Sequence, residues 1–396
     1  MKVGIWLNED YKPEEGGGHS YYDKLIKAID KFEFDNRLEI VFIAAGKQYN
    51  FRKQTVSIGA LSFIQSTSKK LGKLILSTKL KYKILHIAFK SKYKKLQEAR
   101  VDLIYYPIQA QQIIPDYPFI ATNWDLGHLS TYPFPEFTNA GEFEERERWY
   151  KQQLQQALLI FAESEAGKKE LVQYLQIAPH RIKVVPLFSG NMDVADEAGQ
   201  QTILNKFKLH TGKYFFYPAQ FWAHKNHFCL VTAFKDIATR HPELRLVFTG
   251  SDKGNLSYIK ALVAELGLAD KASFLGFVDS NELYTLYKNA AALVMPSWLG
   301  PTNMPLLEAW ELNCPIICSD IEGHREMLKD IALYFDPADP VALATQLQNV
   351  LDEHQRKSLL EKANQQLPYS AFKVETSVLK MQQHRIDLIP IKKTWQ

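Results

Sequence analysis

The chain has 396 residues, 46% of them hydrophobic and 23% charged, with a formal net charge of +4. That composition excludes a disordered or fibrous protein, and the length allows two or three separately cored domains. Cys229, Cys314 and Cys318 make no Cys-x-x-Cys pair and sit in apolar surroundings, which points to core residues rather than zinc ligands or a disulfide framework.

Met1-Lys2 precedes only a five-residue apolar run before Asn8-Glu9-Asp10, so no signal peptide is expected. No later apolar stretch approaches the roughly 20 residues that span a bilayer, and the expected location is the cytoplasm. Lys2 to Asn8 reads as a β-branched strand, followed by Gly16-Gly17-Gly18 and a helical pattern through Tyr22, Leu25, Ile26 and Ile29. Strand, glycine loop and helix open a Rossmann-like half, although three glycines also suit a surface turn.

After a second strand, Leu38 to Ile43, residues 51–97 contain twelve Lys or Arg and no Asp or Glu. Interleaved with Leu71, Leu74, Ile75, Leu80 and Ile84, these charges read as a basic amphipathic surface for an anionic partner. The inner face of the cytoplasmic membrane is the expected partner, with Lys69, Lys70 and Lys73 as test positions. Nucleic acid is not expected, because no aromatic stacking platform or recognition helix accompanies the charge.

Strands resume at Leu103 to Tyr106, Phe119 to Thr122, Leu159 to Ala162 and Ile182 to Pro186, with a helix from Glu142 to Leu158. Continuous apolar strands separated by helices indicate a parallel sheet covered on both faces. Residues 191–211 turn polar and irregular and read as an interdomain linker. A second alternation follows, with strands at Tyr214 to Tyr217, Leu244 to Phe248, Ala272 to Leu275, Ala292 to Met295, Pro315 to Cys318 and Ala332 to Phe335.

The fold class is therefore α/β, two facing Rossmann-like doubly wound domains, residues 1–190 and 212–371, with a cleft between them. A last amphipathic helix within about 372–396 is positioned to pack back on the first domain.

The stretch Ser297 to Glu308 joins an apolar strand to a helix, with Pro305 suited to the first helical position. A helix N-terminus there offers free N–H groups and a positive dipole end to a phosphate. Glu308, one turn inside, either accepts sugar hydroxyls or merely complements the dipole.

Four segments of the second half resemble, in order, the retaining nucleotide-sugar glycosyltransferases of family four, which have the GT-B architecture. They are Tyr217 to His227, similar to the family's Arg-x4-Lys segment; Phe248 to Ser251 with Phe274 to Val278; Gly300 to Glu308, similar to its Glu-x7-Glu signature; and Ser319 to Glu326 through Pro337. In the first half Ala121 to His128 resembles a His-Asp-Leu-x-x-His segment. Ala162 to Glu165 and Arg181 to Pro186 resemble the end of the family's N-terminal domain. Gln220, Gly300 and Trp124 depart from the pattern, standing where the family has Arg, the first Glu and the first His.

The resemblance implies a retaining glycosyltransferase. Lys225 would stabilise charge on the departing phosphate, and Glu308 would hold ribose or sugar hydroxyls. Asp125 and His128 would orient the acceptor. Gly16, Gly17, Gly18, Gln220, Gly250, Phe277, Val278, Thr302, Asn303 and Met304 would bind the donor. With no carboxylate at Gly300, backbone N–H groups near Thr302 to Met304 are the expected grip. No Asp-x-Asp stands at a strand end, so no metal and no cofactor beyond the nucleotide-sugar donor are expected. The variant loop looks like those of some mannosyltransferases, a lean towards GDP-mannose, with a glycan or lipid-linked glycan acceptor. A silent nucleotide- or glycan-binding subunit and a nucleotide-sugar epimerase remain alternatives on the same plan.

Overall fold

The computed structural model describes residues 1–12, 16–60, 78–109, 114–190, 192–366 and 372–394. Two parallel sheets organise them. The first runs β3-β2-β1-β4-β5-β6-β7 and the second β10-β9-β8-β11-β12-β13. The first comprises β1 (Lys2–Trp6), β2 (Glu39–Ala44), β3 (Thr55–Ser57), β4 (Leu103–Tyr106), β5 (Phe119–Asn123), β6 (Leu159–Ala162) and β7 (Ile182–Val184). The second comprises β8 (Tyr214–Pro218), β9 (Arg245–Thr249), β10 (Ala272–Phe274), β11 (Ala292–Met295), β12 (Ile316–Ser319) and β13 (Ala332–Phe335).

The central strands are apolar along their whole length because helices cover both faces. All four residues of β4, β6 and β11 are buried. Strand order reverses at β1, between β2 and β4, and at β8, between β9 and β11. Those reversals part the loops beyond the strands' carboxyl ends and leave a crevice in each domain. The two crevices face one another.

Three expectations change. Within the basic segment lie β3 and the helix Thr78–Glu98, while Lys69, Lys70 and Lys73 lie outside the described residues. Lys92, counted among the surface charges, is buried, and its ammonium donates to the carbonyls of Ile58, Gly59 and Ala60 at 2.9, 2.6 and 2.8 Å. It is a structural clamp between that helix and the end of β3.

The presumed irregular linker contains the helix Glu197–Phe207, N-capped by the Asp196 carboxylate, which accepts from Gly199 N at 2.8 Å. Its sequence reads as polar because it buries only Leu204. The helix lies on the second domain, where Asn289 donates to Gln200 at 3.0 Å.

The helix Val374–Ile386 lies on the first domain. Ser377 donates to the Pro186 carbonyl at 2.7 Å, and Gln382 accepts from Asp35 N at 2.7 Å.

Candidate active site

The cleft divides into two joined chambers. The inner one, about 310 Å³, is lined by Gly17, Gly18, Trp124, Asp125, Glu163, Lys225 and the 299–305 loop, among others. The outer one, about 430 Å³, runs between Gly16, Gly250, Phe277, Val278 and Glu308. Gly17, Gln220, Met304 and Pro305 border both.

Lys225 ends a short 3-10 turn after β8. The turn is pinned from both sides: Tyr217 OH donates to the Lys225 carbonyl at 2.7 Å, and Asn226 donates to the Pro296 and Pro337 carbonyls at 3.0 and 2.8 Å. Asn226 itself is left-handed, φ 56°. Lys225 Nζ thereby reaches the inner chamber and donates to Asn303 Oδ1 at 3.0 Å. Burial lowers its ammonium to about 8, against the pull of Asp125, Glu163 and Glu136.

Facing it is the N-terminus of the helix Met304–Glu311, with Asn303 at the N-cap and Pro305 in the first turn. No side chain satisfies this cap; Pro305 has no N–H and Leu306 N donates to the Asn303 carbonyl at 3.1 Å, which leaves the Met304 N–H as the first-turn donor on the chamber side. Glu308, one turn on, is buried. It accepts from Tyr287 OH at 2.6 Å, and burial raises its carboxyl. A carboxylate has about four acceptor sites, so the tyrosine and the Gly190 N–H leave room for hydroxyls from the outer chamber.

Gly250 closes the opposite wall. At φ +124° a Cβ there would stand 2.4 Å from the Ala219 carbonyl, so only glycine lets β8 and β9 loops approach this closely. Phe277, 65% exposed, offers an open ring face at the mouth of the outer chamber. Gln220 lies across from Gly16 and accepts from Trp222 Nε1 at 3.0 Å.

From the first domain come Asp125, past the end of β5, and Trp124. Asp125 Oδ1 accepts from Gly127 N at 2.9 Å, which fixes the carboxylate at the chamber wall. His128 is corrected. Its side chain is fully buried, stacked 4.9 Å from Tyr150 and 3.4 Å from Glu147, and it borders neither chamber. One short helix, Gly127–Ser130, turns it inward and away from both chambers.

Two groups in the inner chamber went unread in the sequence. Glu163 follows β6 directly, and burial holds its carboxyl well above the usual range, countered by Thr302 and Lys225. His224 donates its backbone N–H to Glu136 Oε1 at 2.9 Å, and its ring Nδ1 lies 2.6 Å from the same oxygen, tying the Lys225 turn to the first domain. The signal for Glu163 was available: an acid immediately after an apolar strand, as at Asp125.

Among the described residues no group of three or more His, Cys, Asp or Glu could hold a metal ion. No described helix is long and apolar enough to cross a membrane.

This is a two-domain GT-B fold with interdomain chambers lined by a lysine, a helix N-terminus and carboxyl groups. Residues 200–366, most of the second domain, match the family model described as Glycosyl transferases group 1. The O-antigen chain mannosyltransferase RfbU of Salmonella typhimurium is 32% identical over 143 residues, 36% of this chain and 40% of that protein. The chain thus spans less than half the length of that relative. O-antigen chain mannosyltransferase B of Escherichia coli is 24% identical over 259 residues, covering 61% of this chain and 67% of that protein. The crystal structure of Anabaena HepE in complex with UDP-glucose superposes at TM-score 0.69 with 16% identity, over 98% of this chain and 100% of that one.

Proposed function

We propose that the protein is a retaining glycosyltransferase that moves a sugar from a nucleoside diphosphate sugar to a glycan or lipid-linked glycan acceptor. The observation that supports it most is Lys225 in the inner chamber, held at 3.0 Å by the N-cap residue of the helix whose N-terminus it faces. A cation and a helix N-terminus at one point bind and stabilise a diphosphate. In this reading the base lies against Phe277, the ribose against Glu308, and the diphosphate at the junction of the chambers. The sugar then extends toward Trp124, Asp125 and Glu163.

As the glycosidic bond breaks, negative charge grows on the departing phosphate, where Lys225 and the open N–H groups of the loop stabilise it. The same phosphate accepts the proton of the incoming acceptor hydroxyl on the same face, which gives retention without a carboxylate nucleophile. Asp125 orients that hydroxyl. The mannosyltransferase relatives favour a mannosyl donor, and the resemblance of the loop leans to GDP-mannose. A panel of GDP-, UDP- and dTDP-sugars with a bacterial lipid extract tests the reading. Lys225→Ala is expected to lower kcat about a hundredfold, the loss of one preorganised charged donor. Glu308→Ala is expected chiefly to raise the donor KM. No turnover of any donor, with both variants equal to wild type, would sink the enzyme.

The acceptor reading extends to a membrane surface. On the helix Thr78–Glu98 the residues Lys83, Ile87, Lys90 and Lys94 share an exposed face, with Ile87 74% exposed. Each such lysine near an anionic leaflet contributes about 1 kcal/mol. Sedimentation with phosphatidylglycerol vesicles should show salt-sensitive binding that Lys83→Glu, Lys90→Glu and Lys94→Glu together abolish. Equal binding to neutral vesicles would reject the surface.

A further inference from the structure

Asn303 does more than cap a helix. Its Nδ2 lies 3.3 Å from the Leu299 carbonyl and 2.9 Å from His324 Nε2, while its Oδ1 accepts from Lys225 Nζ at 3.0 Å. His324 is fully buried on the helix Glu322–Leu328, and its Nδ1 lies 2.9 Å from the Ser319 carbonyl. A carbonyl only accepts, so Nδ1 carries the proton and Nε2 presents a lone pair. That lone pair and the Leu299 carbonyl both require a donor from Asn303, which leaves the amide one orientation. Flipped, it would set oxygen against two acceptors and N–H against an ammonium.

Space is arranged for the same purpose. A Cβ on Gly300, at φ +144°, would lie 2.1 Å from Asn303 Nδ2. A Cβ on Gly323 would lie 1.9 Å from the Pro301 carbonyl, so the His324 helix packs directly on the loop. Where the resembled family has a carboxylate side chain, this chain has an amide, and the missing side chain at 300 is the room it occupies.

We propose that His324 is a positioning residue for Lys225: acting through Asn303, it fixes the ammonium in the inner chamber with a neutral acceptor instead of a carboxylate. The proposal rests on the glycosyltransferase reading and deepens it. A neutral acceptor sets the direction of the ammonium without pairing its charge, so the full charge faces the departing phosphate. Among the described residues no ion pair involves Lys225. The carboxyl groups that face it are Asp125, Glu163 and Glu136 of the first domain, and its other titratable neighbours are His224, His227 and His324. Burial lowers His324 to about 4, which keeps it neutral, and lone-pair competent, throughout the working range.

The test compares full-length wild type, His324→Phe, His324→Gln, Asn303→Ala and the His324→Phe/Asn303→Ala double variant. Two readouts are used: the titration midpoint of Lys225, followed by lysine-labelled ¹⁵N NMR without donor, and kcat against donor KM. Removing the His324 lone pair frees the amide to turn, so His324→Phe should lower the midpoint by about one pH unit and kcat about tenfold, the worth of one hydrogen bond to a charged group. His324→Gln, whose carbonyl can accept from Asn303, should restore both. Asn303→Ala should lower the midpoint equally, and adding His324→Phe should change it no further. A midpoint unmoved in either single variant overturns the proposal, as does an additive loss in the double variant. If His324→Phe does not fold, the midpoint in Asn303→Ala alone decides. Should no donor turn over in wild type, the glycosyltransferase reading fails, while the midpoints still decide the relay.

Discussion

At the scale of the residue, the buried cation has two effects of opposite sign. Burial lowers the Lys225 ammonium to about 8, although Asp125, Glu163 and Glu136 pull the other way. The proposed transfer needs the charged form, so activity should fall as pH rises through about 8. Stability runs the other way. An unfolded lysine titrates near 10.4, so from about 8 to that value the unfolded chain binds more protons, and folding strengthens as pH rises. The penalty of burying the cation is fully present below about 8. Lys225→Met should therefore raise Tm at pH 7 and flatten its pH dependence between 8 and 10, while removing turnover. A lower Tm at pH 7 would show that the lysine is not held at a penalty. The lysine's place in the chamber was legible through the resemblance of Tyr217 to His227 to the family's Arg-x4-Lys segment. His128 misled because its sequence neighbours, Asp125 above all, reach the chamber, while a single helical turn rotates the imidazole into the wall. His324 was not legible, since its role depends on two partners at positions 303 and 319 that only the fold brings together.

At the scale of the element, strands were easier to read than helices. Both sheets are buried on each face, so their strands are unbroken apolar runs, and twelve of the thirteen announce themselves; the three-residue β3 is hidden among lysines. The helix Glu197–Phe207 was missed for the opposite reason: it exposes most of its surface, and its Asp196 cap reads as loop polarity. The Gly300 to Asn303 loop was legible as a strand-to-helix turn at the cleft, but not the way it is braced. That bracing makes a prediction. In Gly323→Ala the new methyl meets the Pro301 carbonyl, backbone against helix, where no flexible side chain can yield. The variant should lose about 1–3 kcal/mol of stability, the usual penalty of overpacking, and bind GDP or UDP more weakly by calorimetry. Unchanged nucleotide affinity would mean that the loop holds its shape without the helix behind it.

At the scale of the whole molecule, the domains are clasped as well as linked. Glu326 of the second domain accepts the N–H groups of Glu165 and Ala166 at 2.8 and 2.9 Å, capping the first domain's helix Glu165–Leu175 with a carboxylate. Glu136 grips His224, and Trp298 meets Tyr132 edge-on at 5.3 Å. Beneath the first sheet, Arg385 of the last long helix is fully buried. Its guanidinium lies 4.8 Å from the Tyr105 ring centre, and its nitrogens have no hydrogen-bond partner among the described residues. Burial lowers it to about 10. Replacing such a charge with a well-packed apolar side chain is often neutral or stabilising by about 1–4 kcal/mol. Thermal melts should therefore show Arg385→Met at or above the wild-type Tm, and Arg385→Ala below it. A Tm for Arg385→Met well below that of Arg385→Ala would contradict this.

Because the helix Val374–Ile386 returns to the first domain, that domain is discontinuous in sequence. The polypeptide passes between the lobes twice, once after Pro186 and again between Phe372, whose ring lies 5.9 Å from that of Trp310 in the second domain, and Ser377, which bonds Pro186 in the first. A lobe tethered at one point can swivel freely; one tethered at two can turn only about the line through both. Two crossings would thus confine any hinge between the lobes to a single rotation, and a chain cut after residue 190 would release a first lobe lacking one of its own walls.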